Sequence, residues 1–102
     1  MYTKVNTETA KSMMEADPLA VAIDVRTEEE YEAGHVPRSI SIPLGEIPLR
    51  VGQAVQNRET KIFVYCGSGF RSKIASLTLM KMGYKNVIDM GSIQNWRYPL
   101  EQ

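Results

Sequence analysis

The chain is expected to fold as an α/β domain around a mostly parallel sheet. Two observations predict this. Short apolar runs of strand length recur at residues 20–25, 39–42, 61–65 and 86–89. Between them lie segments with helical caps or helical periodicity. Buried strands that alternate with helices are joined by crossovers, and crossovers make neighbouring strands parallel.

Each element has a local reason. Val5 ends a short edge strand, and Thr7 is placed to cap a helix running to about Ala16, which Asp17-Pro18 stops. Residues 20–25 (Ala-Val-Ala-Ile-Asp-Val) form a short apolar run, as a buried strand does. Thr27 followed by Glu30 is a capping box that starts a helix ended by Gly34. Residues 39–42 alternate like a strand and stop at Pro43, while Gly45, Pro48 and Gly52 make the helical pattern of 44–55 weak or broken. Residues 61–65 are the clearest strand. Residues 71–82 follow as a helix, with Ile74, Leu77, Thr78 and Met82 expected along one face and Gly83 closing it. Residues 86–89 form another strand, and 92–98 a last short helix.

A length of 102 residues is one domain's worth, and the whole chain, 1–102, is expected to be that domain. With 43% apolar and 24% charged residues the composition is that of a globular protein, which excludes a disordered tail. Uncharged runs such as 62–70 fall far short of the roughly 18 residues of a membrane span. Residues 1–11 carry Lys4, Glu8 and Lys11 without an apolar stretch, so no signal peptide and a cytoplasmic location are expected. Zero net charge gives no basic footprint for nucleic acid. The balance conceals an asymmetry: residues 1–32 carry net −5 and residues 33–102 net +5. A solvated acidic helix over 28–32 explains much of it, and an anionic ligand on the second part is the functional alternative. One cysteine, Cys66, excludes an internal disulfide and a CxxC pair; with His35 the only imidazole, no zinc site is expected.

Ligands of parallel sheets bind beyond the carboxyl ends of the strands. Directly after residues 62–65 come Cys66, Gly67, Ser68, Gly69, Phe70, Arg71 and Ser72, and then a helix. Gly67 and Gly69 let the backbone curl so that successive N–H groups converge as an anion-binding nest. The helix adds its positive N-terminal end, and Arg71 a planar cationic fork. Such surroundings favour a thiolate and make it a nucleophile. The thiol is therefore expected to face a solvent-reachable nest. The alternative is that Cys66 is a small buried hydrophobe at a strand end. A third reading, Gly67-x-Gly69-x-x-Ser72 with Asp89 as a dinucleotide fingerprint, fails because the third glycine is Ser72 and only thirteen residues follow Asp89. That leaves Asp89 as a strand-end cap or ion-pair partner.

Two motifs resemble the single-domain rhodanese-like sulfurtransferases. One is Asp24-Val25-Arg26, Glu30-Tyr31, Gly34-His35-Val36-Pro37 and Ile42-Pro43; the other is Tyr65-Cys66-Gly67-Ser68-Gly69-Phe70-Arg71-Ser72. Their order, together with Gly91 and Trp96, matches the family along nearly the whole chain. Arg38-Ser39 stands where the family commonly has Gly-Ala, and Gly91-Ser92 where it has Gly-Gly. The resemblance implies a single rhodanese-like domain with a central parallel sheet of four or five strands and helices on both faces.

It also implies two-step sulfur transfer with no cofactor. Cys66 would be the catalytic nucleophile and become a persulfide. Gly67, Ser68, Gly69, Phe70, Arg71 and Ser72 would bind substrate, with Arg71 on the oxyanion end of the donor and the local charge left positive. The partners implied are a small anionic sulfur donor, thiosulfate or similar, and a thiol, cyanide or protein acceptor. A persulfide-carrying relay partner is the alternative. A rhodanese-fold phosphatase fits less well, because its loop is one residue longer, and a non-catalytic module would lack the cysteine. Asp24, His35, Trp96 and Tyr98 read as structural.

Overall fold

A computed structural model describes residues 1–102. The strands are β1 (Thr3–Lys4), β2 (Val21–Asp24), β3 (Ser39–Ser41), β4 (Lys61–Cys66) and β5 (Asn86–Ser92). The helices are α1 (Thr7–Ala16), α2 (Glu28–Ala33), α3 (Ile47–Ala54) and α4 (Phe70–Lys81), with short 3-10 turns at Leu44–Glu46 and Ile93–Asn95. The five strands form one sheet in the order β1-β5-β4-β2-β3, and every pairing is parallel. No helix is long and apolar enough to cross a membrane.

Period-two alternation on β4 divides the core. Ile62, Val64 and Cys66 face the layer that contains Ile47 and Val51 of α3 and Ala75 and Leu79 of α4. Phe63 and Tyr65 face the opposite layer, with Ala10 and Met14 of α1. These five residues of β4 are fully buried, while Lys61 at its start is exposed, and each large apolar side chain contributes roughly 1.5–3 kcal/mol. The odd-even register of the central strand therefore decides that Cys66 meets α4 rather than α1.

Four local expectations change. Asn6, not Thr7, caps α1, its Oδ1 accepting from Thr9 N at 2.8 Å; the Thr7 hydroxyl instead donates to the Asn95 carbonyl. The inward face of α4 is Ser72, Ala75, Ser76 and Leu79, while Ile74 and Leu77 are 38% and 44% exposed. Small residues let the first turns of α4 approach the sheet closely, and both serine hydroxyls are satisfied inside the helix: Ser72 by Gly69 O at 3.1 Å and Ser76 by Ser72 O at 2.8 Å. Strand β5 runs on to Ser92, past a register irregularity between Val64 and Tyr65 of β4. The helix expected over 92–98 shrinks to a 3-10 turn.

Arg38 adopts φ +73°, a left-handed conformation that suits the glycine common there in the resembling family. Its guanidinium donates to Met14 O (2.8 Å), Ala20 O (3.2 Å) and Asp17 O (3.3 Å). Those carbonyls lie at and past the end of α1; Met14 O and Asp17 O also accept the backbone N–H groups of Asp17 and Ala20, so Arg38 adds a second donor there. The strained backbone is offset by a cap on α1.

Candidate active site

Cys66 ends β4, and the loop after it folds back over the sulfur. Cys66 Sγ accepts from Gly69 N at 2.9 Å and from Ser72 N at 3.3 Å. Gly69 makes this curl with φ +91°, and a Cβ built there would meet nothing within 4 Å. Gly67 has less space: a Cβ there would sit 3.3 Å from Arg71 Nη2 and would push that side chain aside by a few tenths of an ångström. The expected solvent-reachable thiol is corrected. Cys66 is 0% exposed and packs in the core layer with Val25, Val64 and Ala75. The two readings that the sequence opposed, buried hydrophobe and sulfur in a nest, hold together. The strand register buries the side chain, and the loop closes its N–H groups over it.

The remaining loop side chains divide between rim and core. Phe70 is 68% exposed, Ser68 is exposed, and Ser72 is buried beneath them. Arg71 does not leave the local charge positive as expected. Its fork is bidentate on Glu30, Nη1 to Oε1 at 3.0 Å and Nη2 to Oε2 at 3.2 Å. Glu30 in turn belongs to the capping box of α2, Oε1 accepting from Thr27 N at 3.1 Å. The Arg71 guanidinium, followed by the Thr27 N–H, lowers the Glu30 carboxyl to about 2. The same bonds raise Arg71.

Beneath this pair lies a second, buried one. Asp24 is 0% exposed and takes Arg26 Nη2 at 2.7 Å and the Arg26 backbone N at 2.9 Å; Arg26 Nη2 also donates to Gly34 O at 2.7 Å. Both structural explanations of Asp24, the turn and the ion pair, are present together. His35 stacks on Tyr31 with centroids 3.7 Å apart, and its Nδ1 donates to Tyr31 O at 2.8 Å. Its Nε2 lies 4.0 Å from Glu101, so the ring serves the α2 turn and the C-terminal segment. Tyr65 places its hydroxyl on Val36 N (3.1 Å) and Ser39 Oγ (3.0 Å), and burial pushes its phenol upward. Asp89 caps the bend at Gly91, Oδ1 accepting from Gly91 N at 2.8 Å, and makes no ion pair.

Three site residues escaped the sequence reading. Ser92 donates to the Gly67 carbonyl and so ties the end of β5 to the loop; the departure from Gly-Gly at 91–92 was its signal. Lys4 and Arg97 line a cleft of about 570 Å³ whose inner wall includes Ser68 and Gly69. Nothing in sequence spacing brings residues 4 and 97 together; the pairing of β1 with β5 does.

This geometry has relatives. The rhodanese-like domain profile matches residues 6–98. Thiosulfate sulfurtransferase PspE of Escherichia coli is 38% identical over 77 residues, covering 76% of this chain and 74% of that one. YrkF of Bacillus subtilis, named as a candidate sulfur carrier, is 38% identical over 87 residues; these are 85% of this chain but 46% of YrkF, so the chain spans about half of that relative. A structure of an E. coli rhodanese with anions superposes with a TM-score of 0.76 at 36% identity, covering 81% of this chain and 99% of that one. Fold, loop and kinship agree: the chain belongs to the rhodanese-like domain family.

Proposed function

We propose that this protein moves a sulfane sulfur from thiosulfate, or a similar anionic donor, to a thiophilic acceptor through a persulfide on Cys66. The observation that carries the reading is the pair of N–H donors, from Gly69 and Ser72, on Cys66 Sγ at the carboxyl end of the central strand. Donors fixed around a sulfur stabilise negative charge there without reorganisation, as electrostatic catalysis requires. In the first step the Cys66 thiolate attacks the outer sulfur of thiosulfate. The S–S bond breaks, sulfite leaves with the electron pair, and Cys66 carries the sulfur as a persulfide anion. In the second step cyanide or a thiolate attacks that outer sulfur, and the electron pair returns to Cys66.

The loop from Gly67 to Ser72 is the substrate-binding segment in this reading. Its N–H groups hold the charged sulfur, and Ser68 and Phe70 form the exposed rim. Arg71 takes the oxyanion end of the donor by exchanging Glu30 for it. Glu30 returns when sulfite departs.

A relay role is the second reading, favoured by the complete burial of Cys66 and by the carrier name of YrkF. Turnover of thiosulfate with cyanide, measured beside persulfide labelling of Cys66 by other donors, separates the two. Rapid thiosulfate turnover supports the enzyme. Efficient labelling without turnover supports the relay.

A further inference from the structure

The cleft on the other side of the loop is not explained by a donor as small as thiosulfate. At about 570 Å³ it lies within the size range of sites that hold much larger molecules, roughly 300–1,000 Å³. Val5 and Met90 are the only hydrophobic residues in its lining. Two cations, Lys4 and Arg97, and one carboxylate, Glu8, line it, and none of the three takes part in an ion pair. Arg71, by contrast, is already neutralised by Glu30. Unpaired charges of both signs around a polar cleft suit a ligand with carboxylates and an ammonium. The cleft also adjoins the sulfur: Gly69 forms part of its wall, and Gly69 N lies 2.9 Å from Cys66 Sγ.

We propose that this cleft is the acceptor site, and that its ligand is a small zwitterionic thiol bearing carboxylates, such as a short cysteine peptide. The proposal rests on the persulfide reading above. Lys4 and Arg97 receive the carboxylates, Glu8 the ammonium, and the thiol is presented to the loop at Ser68–Gly69. Its thiol passes its proton to the Cys66 persulfide anion, and the resulting thiolate attacks the outer sulfur. The bond between the two sulfurs breaks, the electron pair goes to Cys66 as thiolate, and the acceptor leaves as R–S–SH with the persulfide proton.

Glutathione serves as probe, with 2-mercaptoethanol as an uncharged and cysteamine as a cationic comparison. Protein loaded with thiosulfate is mixed with each thiol, and discharge is followed in the wild type, Lys4→Gln, Arg97→Gln and the double variant. Each single variant should raise the half-saturating glutathione concentration roughly threefold and the double variant roughly tenfold, as two rim charges allow. Discharge to 2-mercaptoethanol and loading by thiosulfate should not change, and discharge to cysteamine should hold or improve. An unchanged glutathione dependence in the double variant overturns the proposal. So does a rise in the thiosulfate requirement for loading without an effect on glutathione, which would make the cleft the donor's. S-methylglutathione, which cannot accept sulfur, separates this proposal from the one beneath it. Calorimetric binding to unloaded wild type, weakened in the double variant, supports the cleft even if thiosulfate fails to load Cys66, and absence of binding overturns it.

Discussion

The two flanks of the Cys66 loop are built on opposite principles. On one flank the charges are paired: Arg71 grips Glu30, Glu30 caps α2, and Asp24 holds Arg26 in the core below. On the other flank Lys4, Glu8 and Arg97 stand around an open cleft with no partners. The paired flank fixes where the loop sits relative to α2. The open flank leaves charge for a ligand. A loop that must be rigid enough to hold a nest and accessible enough to exchange sulfur benefits from having the two tasks on different sides.

The largest expected effect breaks the paired flank at its base. Asp24→Asn leaves Arg26 charged and mostly buried, a loss of about 3–5 kcal/mol that denaturant unfolding would register. A change under about 1 kcal/mol would mean that Arg26 finds water, and that the flank is not the rigid one.

Next comes exchange at Arg71. If Arg71 anchors the donor by releasing Glu30, Arg71→Ala should raise the KM for thiosulfate roughly tenfold, and Glu30→Gln should lower it roughly threefold. Arg71→Lys should recover only part of the loss, because an ammonium lacks the bidentate fork. Equal losses from Arg71→Ala and Glu30→Gln would make the pair a tether alone.

Acid tests the same contact without altering the binding fork. The Glu30 carboxyl is lowered to about 2 in the folded protein, against about 4.3 for a free glutamate. Its contribution to stability is therefore full above about pH 5 and lost as pH falls towards about 2. The stability gap between wild type and Glu30→Gln should close over that window. Since the pair is partly exposed, the gap itself should be about 1 kcal/mol or less, and smaller in high salt.

A separate effect on stability concerns α1, whose first turn walls the cleft and whose far end Arg38 caps. Arg38→Ala keeps the left-handed backbone and loses the carbonyl contacts, so it should destabilise by about 1–2 kcal/mol. Arg38→Gly relieves the strain as it loses the same contacts and should fall within about 1 kcal/mol of wild type. Melting curves that rank the two variants the other way would refute the compensation.

How far the sequence could be read follows from the range of the interactions. Strands, the Thr27–Glu30 capping box and the glycines at 67 and 69 depend on neighbours a few residues apart, and their patterns survive in one dimension. The face of α4 did not, because apolarity at Ile74 and Leu77 outweighed the need for small residues where the helix nears the sheet. The partner of Arg71 was hidden as well. Glu30 already had a local role in its cap, and nothing in the spacing announces a second bond across 41 positions. Lys4 and Arg97 line one cleft because the first strand pairs with the last, a few residues before Arg97.

We propose that the buried Cys66 sulfur becomes a persulfide. Intact mass after incubation with thiosulfate tests it most directly, with Cys66→Ser as control. Serine keeps an acceptor for the Gly69 and Ser72 N–H groups, so that variant should remain folded. Wild type should gain one sulfur atom and lose it on adding cyanide, and Cys66→Ser should gain none. An unchanged wild-type mass, or a sulfur gained by the serine variant as well, would contradict the account.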